Sequence, residues 1–128
     1  MRLSVQDPPR RFAVGAEKKI VLADCAHIGL DANEQITLET ASGGEFDVAR
    51  KSWGFYATPS LNGRLVRFGL HPVLARNGAG QFFVLLVEQG CEDDFEQYCR
   101  GEGMHLVCRM DSTEALEELR NRMGDAER

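Results

Sequence analysis

From Glu34 to Thr40 polar and apolar positions alternate, with Gln35, Thr37 and Glu39 on one parity and Ile36 and Leu38 on the other. A period of two marks a half-buried strand. Ala41-Ser42-Gly43-Gly44 supplies turn residues, and Glu45 to Lys51 resumes the alternation with Phe46 and Val48 on one face. The two runs predict a β-hairpin. Upstream, Lys19 to Cys25 is rich in β-branched and apolar residues and predicts a strand, with a shorter one at Phe12 to Val14. Residues 1–11 read as a flexible arm, because Pro8-Pro9 opposes regular structure and Arg10-Arg11 keeps the segment solvated.

Two further hairpins are predicted downstream. Trp53 to Thr58 forms an aromatic strand, the loop Pro59-Ser60-Leu61-Asn62-Gly63 carries an Asn-Gly turn signal, and Arg64 to Leu70 returns. His71-Pro72 is expected to interrupt pairing, since proline has no N–H to give a ladder. Val73 to Arg76 and Gln81 to Glu88 then pair around Asn77-Gly78-Ala79-Gly80. The run from Phe82 to Val87 lacks polar alternation, which predicts a central strand buried on both faces.

The period changes after Gly90. Asp93 to Arg100 places Phe95, Tyr98 and Cys99 at helical spacing behind an acidic first turn, and Gly101 and Gly103 close it. Met104 to Met110 predicts a strand. Asp111-Ser112-Thr113-Glu114 has capping-box spacing ahead of a helix striped by Leu116, Leu119 and Met123, and Gly124 ends that helix. The fold class is therefore α+β: a mostly antiparallel sheet of hairpins over residues 19–88, with a C-terminal helix–strand–helix on one face or end. If Gln81–Glu88 and Met104–Met110 share a sheet, the helix between them suits a parallel crossover. One globular domain is expected over residues 12–124, with residues 125–128 fraying.

Composition narrows this little. The hydrophobic share of 43% and the charged share of 27% fit an ordinary globular domain. No apolar run approaches a membrane span, and residues 1–11 carry no apolar signal core, so a cytoplasmic protein with free thiols at its four cysteines is expected. The net charge of −5 is uneven: residues 1–90 balance at +1 and residues 91–128 at −6. An acidic total argues against general nucleic-acid binding, which needs a basic face.

The local exception is the span between Val48 and Val87, which contains no Asp or Glu but holds Arg50, Lys51, Arg64, Arg67 and Arg76 beside Trp53, Phe55, Tyr56, Phe68, Phe82 and Phe83. Guanidinium groups and flat rings in one segment predict a surface for a small anion, such as an acidic sugar or nucleotide derivative. In that reading Arg50, Arg64 or Arg67, and Arg76 supply charge, Trp53 and Tyr56 stack, and Ser60 and Asn62 orient the ligand. Strand alternation would put Arg64 and Arg67 on opposite faces. The same residue types anchor protein interfaces, so a partner-binding or homodimerisation surface is the alternative.

Other chemistry is thinly signalled. Cys25 and His27, or Cys99, His105 and Cys108, lack the paired spacing of a zinc site, and no cofactor motif is present, so neither metal nor cofactor is expected. No nucleophile elbow surrounds Ser60. A small enzyme would have to use His71, His105 or Cys25, brought together with other groups by the fold. Among acids outside the helices, Glu45 and Asp47 have outward parity, and Asp24, beside His27, is the better candidate for a partly buried carboxyl.

Overall fold

A computed structural model describes residues 1–124; the fraying expected of 125–128 lies outside the described residues. In chain order the elements are β1 (Arg2–Val14), β2 (Ile20–Gly29), β3 (Gln35–Glu39), β4 (Glu45–Lys51), β5 (Gly54–Tyr56), α1 (Arg64–Arg67), β6 (Leu70–Arg76), β7 (Phe82–Glu88), α2 (Glu92–Glu102), β8 (His105–Arg109) and α3 (Thr113–Arg122). The fold is α+β. The strands form small antiparallel sheets: β1–β2, β3–β4–β5 and β7–β6–β8.

The predicted hairpin around Ser42 is β3–β4, in which Ile36 faces Val48 and Leu38 faces Phe46. Its turn is tied to the third sheet by Glu88, whose carboxylate accepts from Ser42 Oγ at 2.6 Å and Thr40 Oγ1 at 2.8 Å. These two hydroxyls hold the Glu88 carboxyl below its ordinary pKa. The helices also follow the sequence signals. Acidic residues Glu92, Asp93 and Asp94 open α2; Gly101 does not close it but lies inside the last turn, and Gly103 alone ends it in the left-handed conformation with φ of 64°. Ser112 caps α3 by accepting from the Ala115 N–H at 3.1 Å.

Several expectations are corrected. Residues 1–11 are not an irregular arm: from Arg2 onward they belong to β1. The ladder with β2 breaks its register between Val5 and Arg10, around Pro8-Pro9. A strand with one neighbour tolerates prolines where pairing lapses. Arg64 to Leu70 is not a return strand. The Arg64 N–H is taken by Ser60 Oγ at 2.9 Å, one helical turn follows, and Gly69 at φ of 86° redirects the chain into β6. Consequently β5 pairs with β4 and not with this segment.

His71-Pro72 does not interrupt pairing either. Pro72 is fully buried within β6, its carbonyl accepting from Met110 N at 3.0 Å. A residue's N and C=O point to the same side of a strand, so the missing N–H lies just beyond the last residue of β8 and takes no bond from β7. The run from Phe82 to Val87 is an edge strand. The central strand is β6, which supplies Leu70, Val73 and Ala75 to a buried set completed by Leu65 of α1. An unalternating apolar run shows that both faces are greasy, not that both are covered. β7 and β8 do share a sheet. Each is antiparallel to the β6 strand between them, so they run parallel, joined through α2.

Candidate functional site

Three arginines of the basic aromatic span, Arg50, Arg64 and Arg76, are drawn to separate internal partners. Arg50 donates from Nη1 to the Leu30 carbonyl at 2.9 Å. Arg64 donates from Nε and Nη2 to Asp47 Oδ2, at 3.2 and 3.0 Å, and lies over the Phe68 ring. Asp47 is held below its ordinary pKa by Thr37 and then by Arg64. Arg67 shares the α1 turn with Arg64, so helical spacing replaces the opposed faces that a strand would give, and it lines a shallow cleft with Ser42, Phe68, Glu88 and Gln89. Arg76 reaches the Asn77 carbonyl and lies 5.9 Å from the Phe82 ring.

The remaining candidates are likewise engaged or apart. Ser60 caps α1, and Asn62 donates to Thr113 Oγ1 at 3.1 Å. Trp53 and Tyr56 do meet, edge to face with centroids 5.7 Å apart, and both are more than half exposed. The structure thus brings the two stacking residues together but spreads the charges.

Of the three residues offered for an enzyme, Cys25 is exposed and donates to the Ala23 carbonyl, and His105 is exposed at the start of β8 opposite Arg76. His27, next to Cys25, is drawn to Asp24 at 3.3 Å, which lowers the pKa of that acid. The cysteines are free thiols, and among the described residues no group of three His, Cys, Asp or Glu side chains is placed to hold a metal ion.

His71 is different. Its Nδ1 lies 3.0 Å from Asp111 Oδ2, and Arg109 donates to the same carboxylate from Nη2 at 2.7 Å and from Nε at 3.3 Å. The Asp111 side chain is only 8% exposed. Hydrogen bonds from Arg109 and then His71 outweigh that burial and hold its carboxyl below the usual aspartate range. The pairing of β6 with β8 makes this contact: with Met110 bonded to Pro72, the residues just beyond them are His71 and Asp111. Nothing in the linear spacing of residues 71, 109 and 111 announces it; once the register is known, it follows.

His71 and Arg109 line a cleft of about 370 Å³ with Val73, Val87, Leu106 and, from α2, Glu92, Phe95, Glu96 and Cys99. Burial, and then the charge of Glu96, push the Cys99 thiol above its ordinary pKa, which disfavours the thiolate.

Large apolar side chains stand exposed on several strands. On β1–β2, Leu3, Val5, Val21, Leu22 and Ile28 are all more than 40% exposed, and so are Phe82 and Val84 of β7 and Leu106 and Val107 of β8. No helix among the described residues is long and apolar enough to cross a membrane.

Compared with known proteins, the chain matches no family model, and no curated protein or solved structure gives a significant match.

Proposed function

We propose that this chain is a self-association module that works as a homodimer, burying the apolar surface of β1–β2 and the exposed ends of β7 and β8. One quantity carries the reading. The chain exposes 9316 Å², whereas a compact monomer of 14.3 kDa exposes about 6,800 Å². The excess, about 2,500 Å², is of the size that each partner buries in a large obligate interface. Closed two-fold pairing is the commonest way to cover such a surface.

The composition of that surface supports the same reading, since branched aliphatics and phenylalanines stand exposed on it among charges such as Arg2 and Arg10. An anion receptor takes second place because the guanidinium groups of Arg50, Arg64 and Arg76 already have separate internal acceptors. The four free thiols suit a reducing compartment such as the cytoplasm, where the module would work.

Analytical ultracentrifugation tests it. A mass of two chains is expected, and Val5→Lys, at a position 67% exposed beside the Leu3–Ile28 pair, should shift it to one chain while leaving the circular dichroism unchanged. A one-chain mass at every concentration up to about 100 µM would overturn the proposal, since obligate dimers dissociate far below that.

A further inference from the structure

We infer that the two copies join edge to edge along β7, each Phe82–Leu86 segment pairing antiparallel with its equivalent about a two-fold axis at Val84. Resting on the dimer reading, this pairing specifies where the copies meet. β7 has one neighbour, β6, so among the described residues its other side carries unpaired backbone groups. Pro72 identifies them. Its carbonyl accepts from Met110 N, so Pro72 faces β8, and Leu86 opposite it faces away from β6. Both ends of the ladder agree, since Gln89 N donates to the Gly69 carbonyl and Asn77 N to that of Gln81. The odd positions of β7 thus bond to β6, and the outward N–H and C=O groups are those of Phe82, Val84 and Leu86.

Other strands at sheet edges carry features that block such pairing. β1 holds Pro8-Pro9 and a register break, β2 carries Asp24 and His27, β3 holds Gln35 and Glu39, and β5 has only 3 residues. β8 shifts register against β6 and ends on Arg109. From Phe82 to Val87 there is no charge, proline or irregularity, and Phe82 and Val84 are each 57% exposed. The Glu88 end is closed: its carbonyl accepts from Cys91 N, and its carboxylate holds the β3–β4 turn. An axis at Val84 leaves that end free. It sets Val84 against the partner's Val84 and Phe82 against the partner's Leu86, so each outward group finds a hydrogen-bond partner and apolar side chains meet on one face. The joined sheet ends on β8 in both copies, where the register shift and arginine oppose further growth, so the assembly closes as a dimer. A foreign strand on the same edge would leave the apolar side chains of β1–β2 uncovered, whereas a second copy brings enough surface for both.

Amide hydrogen exchange of the ¹⁵N-labelled full chain tests this, at a concentration where ultracentrifugation gives a mass of two chains. The Val84 and Leu86 amides should exchange at least about a hundredfold slower than in a free peptide, as Phe83 and Leu85 do inside the sheet. In a dimer mixed from ¹³C-labelled and unlabelled chains, a nuclear Overhauser contact should join the Phe83 Hα of one copy to the Leu85 Hα of the other. Val84→Pro removes an outward N–H that β6 does not use, so it should reduce the mass to one chain while Phe83 and Leu85 stay protected. Unprotected Val84 and Leu86 amides in a two-chain sample, or no Phe83–Leu85 contact between copies, would overturn edge pairing and leave the dimer standing. A one-chain mass at every concentration would remove the dimer and this pairing with it. The unsubstituted chain decides each of these, whether or not the variant folds.

Discussion

The Asp111 carboxylate, its side chain 8% exposed, ties β6 to β8 just ahead of α3 through His71 and Arg109. Asp111→Asn keeps the shape and removes the charge. A cost of about 1–2 kcal/mol is expected, at the low end for charge-assisted bonds because Arg109 is largely exposed. The pH dependence has a definite sign. The folded-state pKa lies below the ordinary 3.8, so the carboxylate's contribution is complete above the unfolded value and is lost as pH falls through the folded one. The urea midpoints of wild type and variant should therefore differ steadily from pH 7 to about pH 5 and converge in stronger acid. A difference that persists unchanged at pH 2 would show that charge is not the cause. None of this could be read from sequence, where Asp111 looks like the opening of a capping box; its neighbours are fixed by a strand register that no local pattern encodes.

At the scale of elements, legibility follows how local the determining physics is. The β3–β4 hairpin, α2 and α3 are set by alternation, turn residues and caps a few positions apart, and each stands where those signals put it. Residues 64–67 became a helical turn because a single serine, Ser60, captures the Arg64 N–H, a contact that β-propensity does not weigh. Pro72 sits inside a central strand because β8 ends beside it, so the missing donor falls at the end of one ladder and takes no bond from the other, which only the tertiary pairing reveals. The end of α2 gives a paired test of the local rules. Gly101 lies within the helix, where an added methyl would meet only open space, so Gly101→Ala should stabilise by about 0.5–1 kcal/mol. Gly103, also with open space but at φ of 64°, should lose about 1 kcal/mol on the same change, since the penalty is backbone alone. Denaturant unfolding of the two variants checks the opposite signs, and a shared sign would contradict the assigned end of the helix.

For the whole molecule, the imbalance between core and surface is the dominant fact. Its buried apolar side chains come from α1 and the single strand β6, whereas β1 and β2 pair with each other and expose branched side chains along their length. A two-stranded hairpin on its own is marginal in water. Its ends are held to the body by polar contacts: the Met1 ammonium lies 3.0 Å from Glu34, and the Ala16 N–H donates to Glu102 at 2.7 Å. Such exposed contacts add little stability. If the remaining support comes from a second copy, pairing stabilises the folded chain by mass action, and stability must depend on protein concentration. Each tenfold rise in concentration then adds about 1.4 kcal/mol to unfolding, and the melting temperature should climb steadily from about 1 to 100 µM. Val5→Lys should abolish that slope and lower the melting temperature at every concentration, because a buried ammonium at the interface has no partner. A melting temperature constant across this hundredfold range would mean that the hairpin stands without help, and the exposed aliphatics of β1 and β2 would then need another explanation than self-association.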